Sequence, residues 1–597
     1  MHNAAAILAI GDELISGATL DTNSPWLSEQ LAARGIDVVE MRAVGDDRIN
    51  IATAITQLAQ HASLLLVTGG LGPTPDDLTR EALGDAVAPS EALEVDAAAE
   101  AHVENWFAGR GIAMPPTNRK QALRPRGAST LANPHGTAVG LCVKASSGCT
   151  IIAMPGVPRE MRAMFLSAIE QIVPSERSNI IAKRFAIHTQ GIGESALAQR
   201  LGDLLARDRP ASLEHNSSVE LRIGTTSNRG LVSVRIYARG NEDDIVAACR
   251  VIDTQVTSDA HPYVFGTNDH TLASVVGEIL REREMLLATV ESCTGGMLGS
   301  LITDVPGSSA WYRGGWVTYS NELKSACVEV DPRLIDTHGA VSASVAVAMA
   351  KGGCARAQAD IALAITGVAG PDGGSIAKPV GTVFIACAHK DQAARVHHFR
   401  FVGDRESVRL RAALTALQIA RFALLGVDAR TPLLGEVPRT VAAIGLGANL
   451  GDRAATIHAA LERLAHQPGV SLVKASSLHE TEPVGVIDQP RFLNAAALIE
   501  TCLTPPEVLA ALLEIERSLG RTRDDGEGQQ QRFGPRVIDL DLLTFGDLVL
   551  EQPGLTIPHP RMHERLFVLE PLREIAPDIT HPVLGKTVQE LCDASLQ

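Results

Sequence analysis

Arg532-Phe-Gly-Pro-Arg536-Val-Ile-Asp539-Leu-Asp541-Leu-Leu543 is the most informative stretch of the sequence. On a β-strand, residues two apart share a face, so Asp539 and Asp541 project together while the apolar residues fill the opposite, buried face. Two neighbouring carboxylates suit Mg²⁺, which prefers oxygen ligands and bridges to substrate phosphates. The pattern therefore predicts a strand with a magnesium site on its polar face.

Four arginines surround this pair of carboxylates, and their guanidinium groups match phosphate oxygens in a bidentate manner. The polar run Asp524–Gln531 lies among them and is suited to closing over a substrate. Two aspartates alone would equally suit a solvated strand edge, but the added arginines favour phosphoryl transfer. These arginines are Arg521, Arg523, Arg532 and Arg536.

The composition of the whole chain limits the class of protein. A length of 597 residues predicts about four domains, and 45% hydrophobic with 20% charged residues excludes wholesale disorder. No apolar run approaches the ~20 residues of a membrane helix, and the N-terminus lacks the pattern of a signal peptide. Nine dispersed cysteines without a CxxC pair indicate reduced thiols in a cytoplasmic protein. The net charge of −16 argues against a nucleic-acid partner.

Apolar runs, helical periods and Pro/Gly stretches divide the chain into four folded segments and a linker. The linker has no periodicity, so we expect it to make few packed contacts. The predicted segments are 1–170 (α/β), 175–265 (a small α+β module), 268–425, the linker 426–437, and 438–597.

The last segment, 438–597, resembles 6-hydroxymethyl-7,8-dihydropterin pyrophosphokinase, a folate-pathway enzyme, along its full length. The resemblance implies a ferredoxin-like α+β fold and transfer of a pyrophosphoryl group from ATP to the pterin, with release of AMP. Phe533 and Ala448 depart from the usual pattern of this family. These departures concern the closing of the polar run Asp524–Gln531 more than the chemistry. The matching motifs are Gly445–Asp452, Glu480–Gly485, Phe492–Asn494, Arg532–Leu543, Ile557–Pro560 and Arg565–Phe567.

The resemblance also implies a role for individual residues. Asp539 and Asp541 would hold two Mg²⁺ ions, and Arg536 would act in catalysis as well as in ATP binding. The implied ATP contacts are Arg521, Arg523, Arg532, Arg536 and His559, and the implied pterin contacts are Thr481, Pro483, Val484, Phe492, Asn494 and Phe567.

In the third segment a serine follows a predicted strand directly, in the run Glu291-Ser292-Cys293-Thr294-Gly295-Gly296. This turn would place the Ser292 hydroxyl beside free backbone N–H groups that can stabilise an oxyanion. Lys324, if desolvated, could act as the base. The same turn equally suits a helix cap without chemistry, and Cys293 is an alternative nucleophile that lacks a histidine partner.

Residues 268–425 resemble the CinA C-terminal domain, an α/β domain found in nicotinamide-mononucleotide deamidases. The resemblance implies Ser292 as nucleophile and Lys324 as base, with Tyr319 assisting, in hydrolysis of the nicotinamide carboxamide. Backbone amides of the glycine-rich turns would bind phosphate or nucleotide at Gly295, Gly296, Gly367 and Gly370. The matching motifs are Glu291–Gly296, Gly307–Ser309, Tyr319–Lys324 and Thr366–Gly374.

Residues 1–170 resemble the CinA N-terminal domain, which is related to molybdopterin-binding proteins and implies a MoaB/MogA-like α/β fold. A loop containing Gly69, Gly70 and Gly72 could cradle a pyrophosphate, with Asp76 and Asp77 holding a divalent metal beside it. Acids in the first turn of a helix explain the two aspartates equally well. The matching motifs are Ile10–Gly17, Asp21–Asn23, Val44–Asp47, Thr68–Asp77 and Met154–Pro158.

The sequence therefore predicts a multidomain cytoplasmic enzyme in which a CinA-like protein is fused to a pterin pyrophosphokinase. The expected small-molecule partners are ATP, the dihydropterin and nicotinamide mononucleotide, and the CinA part is the candidate for homo-oligomer contacts. Two alternatives stay open for the CinA part, which could be a non-catalytic nucleotide-binding or regulatory module, or an ADP-ribose pyrophosphatase.

Overall fold

The computed structural model describes residues 4–89, 91–172, 180–207, 219–375, 378–483, 489–521 and 534–595. The chain divides into two compact units. The first comprises Met1–Ala186, Leu201–Thr225 and Val234–Asp259, and the second comprises Ile187–Arg200, Thr226–Ser233 and Ala260–Gln597. The predicted segments 268–425 and 438–597 both lie in the second unit, and their separate bounds stay predictions. Within the described ranges no helix combines the length and apolarity needed to cross a membrane.

Residues 4–172 form the predicted α/β fold around a mixed sheet. Its elements are β1 (Ala4–Ile10), α1 (Asp12–Ile15), α2 (Asn23–Ala32), β2 (Asp37–Val44), α3 (Arg48–His61), β3 (Leu64–Thr68), α4 (Thr79–Val87), β4 (Glu94–Val95), α5 (Ala97–Ala108), β5 (Leu123–Arg124), β6 (Ser129–Leu131), β7 (Gly140–Lys144), β8 (Thr150–Met154) and α6 (Pro158–Ile172). The sheet order is β2-β1-β3-β8-β7-β6, with β2, β1, β3 and β8 parallel. Strands β1 and β3 are covered on both faces, which explains their uninterrupted apolar sequences.

The next part of the chain alternates strands and helices as predicted. Its elements are β9 (Ile181–Gln190), α7 (Glu194–Leu201), α8 (Asp203–Arg207), β10 (Glu220–Asn228), β11 (Leu231–Gly240), α9 (Glu242–Asp259) and β12 (Val264–Thr267). In the second unit, β12 pairs antiparallel with the end of β9, where Gly266 lies opposite His188.

Residues 272–425 form a mixed sheet with helices. Their elements are α10 (Leu272–Glu282), β13 (Leu287–Glu291), α11 (Met297–Thr303), β14 (Tyr312–Val317), α12 (Asn321–Val328), α13 (Pro332–His338), α14 (Ala343–Ala357), β15 (Ile361–Gly367), β16 (Thr382–His389), β17 (Gln392–Arg400) and α15 (Arg405–Leu425). The sheet order is β14-β13-β15-β16-β17, and β13 is parallel to both of its neighbours. The carboxyl ends of β14, β13 and β15 therefore meet at one edge of the sheet.

Residues 440–595 form an antiparallel sheet with helices on both faces. Their elements are β18 (Thr440–Ala448), α16 (Arg453–Ala465), β19 (Val470–Ala475), β20 (His479–Thr481), β21 (Phe492–Thr501), α17 (Pro505–Ser518), β22 (Asp539–Phe545), β23 (Leu550–Gln552), β24 (Leu555–Ile557), α18 (Leu566–Ile575) and α19 (Val588–Ser595). The sheet order is β19-β21-β18-β22. Ile444 shares a buried cluster with α16 and α17, whereas the next residue towards the N-terminus, Ala443, shares one with α18 and α19. This alternation is what a strand covered on both sides requires.

The end of the segment 426–437 is packed from Leu433 onwards, so the prediction that the segment makes few contacts is wrong there. Leu433 is 5% exposed, and His397 Nδ1 lies 2.7 Å from a carboxylate oxygen of Glu436. The N–H of Val437 donates to the carbonyl of His398 at 2.8 Å, along the edge strand β17. The physical reason is that an open strand edge presents unpaired backbone groups, and an irregular segment can cover them without showing any periodicity.

One buried apolar core also joins the parts of the chain that precede and follow residues 426–437. Side chains of α14 and β16, among them Val345 and Phe384, belong to the same buried cluster as Val508 and Leu512 of α17. The two predicted catalytic segments of the second unit therefore share apolar surface that each would otherwise expose to water.

Leu433→Ala should lower the free energy of unfolding of the second unit by about 2–5 kcal/mol, because it leaves a cavity in a packed site. Chemical denaturation of the full chain measures this loss. Leu434→Ala is the matched control, since its side chain is 53% exposed. Equal effects of the two variants would contradict this packing. So would limited proteolysis that cuts the unmodified chain first between residues 433 and 437.

Candidate functional site

Strand β22 carries Asp539 and Asp541 on one face and buries the other. Leu540 and Leu542 are each 4% exposed, whereas the two aspartate side chains are 25% and 38% exposed. Across the sheet, Asp539 lies opposite Gly447 of the neighbouring strand β18. The alternation predicted from the sequence is thus present, and it leaves both carboxylates accessible.

Two of the predicted arginines converge on one of these carboxylates. Arg521 and Arg536 each donate to Asp539. Arg521 also donates to Glu516, a carboxylate that is 1% exposed and accepts the N–H of Leu540 at 2.8 Å. The positive charge of the two guanidinium groups is therefore concentrated at the start of β22, where phosphate oxygens could replace or join the aspartate.

The second carboxylate, Asp541, has a pKa raised above its ordinary value. Burial raises its pKa, and the neighbouring charge of Asp539 raises it further. Burial lowers the pKa of His559, and the Arg565 guanidinium lies 3.9 Å from Asp541. A divalent cation would remove the repulsion between the aspartates, so these oxygen donors fit Mg²⁺, whose other ligands are commonly phosphates and water. Within the described ranges no group of three or more His, Cys, Asp or Glu side chains is placed to hold a metal ion.

Two of the predicted pterin contacts lie on strand β21, in the same sheet as Asp539 and Asp541. Phe492 and Asn494 are two residues apart and share a face of the strand. Asn494 is 5% exposed, and its amide nitrogen donates to the Thr481 hydroxyl at 2.7 Å. Gly447 lies between Asn494 on one side and Asp539 on the other. A Cβ at Gly447 would come within 3.1 Å of Asn494 Oδ1, so glycine keeps the surface between them open.

The remaining predicted contacts are only partly described. Phe567 is half-buried at the start of α18, and the Arg565 guanidinium lies 5.6 Å from its ring centroid. Pro483 is half-buried after β20. Arg523, Arg532, Val484 and the predicted closing loop Asp524–Gln531 lie outside the described residues.

Two buried polar residues were missed by the sequence analysis. Asn449 is 2% exposed, accepts the N–H of Arg536 at 2.7 Å and donates its own N–H to the Arg536 carbonyl at 3.1 Å, which fixes the segment before β22. Glu516 holds Arg521. Glu516 could have been found from the sequence, because it follows Leu512 by four residues and so places a charge on the apolar face of α17.

In the third segment, Ser292 and Lys324 come together although they are far apart in the sequence. Ser292 directly follows β13, and Lys324 lies on α12. The Lys324 Nζ donates to Ser292 Oγ at 3.2 Å and to the carbonyl of Thr318 at 3.0 Å. Lys324 is 1% exposed, and burial lowers its pKa. A buried amine of lowered pKa beside a hydroxyl is the arrangement required of a serine nucleophile and its base.

Glu291, which the sequence analysis left without a role, organises the turn after β13. Its side chain is buried and accepts the N–H groups of Gly296, Leu298 and Gly299 at 3.0, 3.0 and 2.8 Å. The N–H of Gly295 donates to the Ser292 carbonyl at 3.1 Å. The expectation that the Gly295–Gly296 turn offers free N–H donors is therefore wrong, because the nearby carboxylate and carbonyl already use them.

The Tyr319 hydroxyl contacts an arginine. Its side chain is 60% exposed, and its hydroxyl accepts from Arg405 at 3.0 Å. Arg405 also donates to the carbonyl of Gly370 at 2.7 Å, in the loop that begins at Gly367 at the end of β15. Arg405 thus joins Tyr319 to the glycine-rich loop. Sequence reasoning missed this residue because it lies on a helix far along the chain.

Cys293 is buried, and burial raises its pKa to about 12. A thiol with that pKa carries almost no thiolate at neutral pH, and the thiolate is the nucleophilic form. The geometry therefore favours Ser292 over the neighbouring cysteine as nucleophile.

In the first unit, the loop after β3 uses one of its predicted metal ligands internally. Asp77 accepts the N–H groups of Gly72 and Thr74, each at 2.8 Å, and also the Thr74 hydroxyl. Gly69 and Gly70 have φ angles of 110° and 64°, which glycine adopts without strain. Asp77 therefore shapes the loop, while Asp76 is exposed beside it.

Three families match successive parts of the chain. They are described as a probable molybdopterin binding domain (residues 6–175), the CinA C-terminal domain (269–424) and 7,8-dihydro-6-hydroxymethylpterin-pyrophosphokinase (443–577).

Whole proteins match over a large part of the chain as well. A putative competence-damage inducible protein of Symbiobacterium thermophilum is 39% identical over 434 residues, covering 71% of this chain and 99% of the relative. A CinA-like protein of Thermosynechococcus vestitus is 37% identical over 425 residues, covering 70% and 99%. Among solved structures, the protein CinA with unknown function from Thermoplasma acidophilum is 31% identical and covers 29% of this chain and 99% of its own, with a TM-score of 0.27.

Proposed function

The chain belongs to the family of CinA-like proteins and carries a pterin pyrophosphokinase domain, and from this we propose that it transfers pyrophosphate from ATP to 6-hydroxymethyl-7,8-dihydropterin. The observation that carries the proposal is the row formed by Asn494, Gly447 and Asp539 across β21, β18 and β22. The Asn494 amide can orient a heterocycle. In this row it lies near Asp539 and its two arginines, which can hold phosphates.

The charged residues of β22 and its neighbours would bind the triphosphate. Arg521 and Arg536 are held at Asp539, and the other N–H donors of each guanidinium group can bind phosphate oxygens. Asp539 and Asp541 would hold Mg²⁺. When bound, Mg²⁺ supplies the positive charge that offsets the negative charge of the phosphate oxygens in the transition state.

The pterin would be oriented by side chains on the same side of the sheet. Asn494 carries both a donor and an acceptor, which match the amide-like edge of the ring. Phe492 on β21 and Phe567 on α18 would contact its faces. The open surface at Gly447 leaves room for the hydroxymethyl group to point towards Asp539. Its oxygen would bond to the β-phosphorus of ATP while the bond from that phosphorus to the α,β-bridging oxygen breaks, so that AMP leaves and the hydroxyl proton passes to water.

Asp541→Ala should reduce AMP formation with the dihydropterin by more than tenfold, because it removes a carboxylate that supports the charge balance of the transition state. Asp547→Ala, which alters an exposed carboxylate two residues beyond β22, is the matched control. The measurement is AMP release at saturating Mg²⁺ and ATP. Retention of more than about a tenth of the rate, a loss below ~1.4 kcal/mol, would overturn the assignment of Asp541.

A second activity, hydrolysis of the carboxamide of nicotinamide mononucleotide, is favoured by the contact between Ser292 and Lys324. Neutral Lys324 would accept the proton of Ser292 Oγ as that oxygen bonds to the carboxamide carbon. The carbon–nitrogen bond then breaks, and ammonia leaves with the proton returned from Lys324. Water cleaves the resulting ester, which restores the Ser292 hydroxyl and releases the carboxylic acid. Arg405 and the loop from Gly367 would hold the phosphate end.

Ser292→Ala should abolish ammonia release from nicotinamide mononucleotide while the rate of AMP formation from ATP and dihydropterin stays within about twofold of the unmodified chain. Because the variant removes only one oxygen atom, we expect the fold to be unchanged. Both rates are measured on the same preparation. Equal loss of both activities would mean that Ser292 has a structural role in its turn. If the unmodified chain binds the nucleotide without turnover, the CinA part is a binding module and the amidase proposal fails.

The amidase rate should increase with pH and level off above the pKa of Lys324, because only the neutral amine can accept a proton. Burial places that pKa below the usual value for lysine of ~10.4. The measurement is the pH dependence of kcat for ammonia release. Lys324→Arg should be inactive over the whole range, since a guanidinium group stays charged. A rate that is independent of pH in the unmodified chain would exclude Lys324 as the base.

A further inference from the structure

Helix α17 of the pyrophosphokinase domain presents two carboxylates to the amidase segment. Glu507 and Glu514 are seven residues apart and so lie on the same face of the helix. Glu507 Oε1 lies 3.3 Å from the Nζ of Lys378, and Glu514 Oε2 lies 3.6 Å from Nε2 of His338. Both partners belong to residues 268–425, so two acidic groups of one segment meet two basic groups of the other.

The contact between Glu507 and Lys378 is largely shielded from water. The Glu507 side chain is 9% exposed and that of Lys378 is 24% exposed. The other oxygen of Glu507, Oε2, accepts the N–H and the hydroxyl of Thr504, each at 2.9 Å, which caps α17. Oε1 is thereby left facing Lys378. A charge in this position is costly to leave unpaired, so this ion pair, together with the His338 carbonyl, holds the ammonium group of Lys378.

Lys378 in turn fixes one end of the glycine-rich loop that follows β15. Its Nζ donates to the carbonyl of His338 at 3.0 Å. Its backbone N–H donates to Ser375 Oγ at 3.0 Å, and its carbonyl accepts the N–H of Ser375 at 3.0 Å. Ser375 directly follows the run Thr366–Gly374. The position of Lys378 is therefore transmitted to the loop through two short contacts.

The other side of the same loop is held from within the amidase segment. Arg405 donates to the carbonyl of Gly370 and to the hydroxyl of Tyr319. The loop is thus held at Gly370 by a residue of its own segment and at Lys378 by a carboxylate of the pyrophosphokinase domain.

We propose that Glu507 is a positioning residue for the amidase site, acting through Lys378 on the loop Gly367–Ser375. This inference rests on the proposed amidase function of the Ser292 site. The pyrophosphokinase domain then supplies part of the framework that holds the nucleotide-binding loop, besides carrying its own chemistry. Glu507 would contact no substrate, so its loss should affect binding of the nucleotide more than the covalent steps at Ser292.

Hydrogen exchange of the full, ligand-free chain tests the positioning directly. In Glu507→Gln, amides of peptides covering Gly367–Ser375 should exchange at least about threefold faster than in the unmodified chain, since the loop loses its charged anchor. Glutamine keeps an oxygen for Thr504, so the helix cap is retained. Glu551→Gln, which alters an exposed carboxylate on β23, should leave this exchange unchanged. Unchanged exchange in Glu507→Gln would overturn the proposal.

Kinetics of the same variants supply the second readout. Glu507→Gln should raise KM for nicotinamide mononucleotide at least about threefold while kcat and the rate of AMP formation change less than about twofold. Lys378→Gln should have the same effect, and the double variant should be no worse than either single one, because both remove one contact. Additive effects, or a loss confined to kcat, would refute the role of the pair. If the unmodified chain has no amidase activity but Glu507→Gln still accelerates exchange, the amidase proposal fails and the loop anchor stands.

Discussion

Buried carboxylates on helix α17 form ionic contacts with neighbouring elements of the second unit, because a charge removed from water has to be paired. Near the start of the helix Glu507 faces Lys378, and near its end Glu516 binds Arg521 and the N–H of Leu540. Apolar burial on both sides of the helix supplies most of the favourable free energy. A shift of the helix along its axis would separate these ionic contacts and leave buried charges unpaired.

The parts of the structure that follow from local patterns could be predicted from the sequence. The apolar run of β1 and the alternation in β22 reflect how many faces of each strand are covered, and that is visible without knowing the neighbours. Ser292 and Lys324 could also be paired in advance. A serine that acts as a nucleophile needs a base, and the motif that contains Lys324 resembles that of a family in which a serine and a lysine form such a pair.

The parts that depend on long-range contacts could not be predicted in the same way. Glu291 looks like the polar end of a strand, and only the folded turn reveals that three N–H groups point at it. Arg405 sits in a helix whose sequence gives no reason to choose it over its neighbours. The segment 426–437 has the composition of a linker, yet it covers the edge of β17, and the exposure of that edge depends on the completed sheet.

The burial of Cys293 has a consequence for how the molecule responds to oxidants. A cysteine beside a proposed nucleophile would ordinarily make a site vulnerable, because peroxides and alkylating agents react with the thiolate. Here burial raises the Cys293 pKa to about 12, which disfavours the thiolate at neutral pH. The proposed Ser292–Lys324 pair would therefore not share the sensitivity to oxidants of an enzyme that uses an activated cysteine.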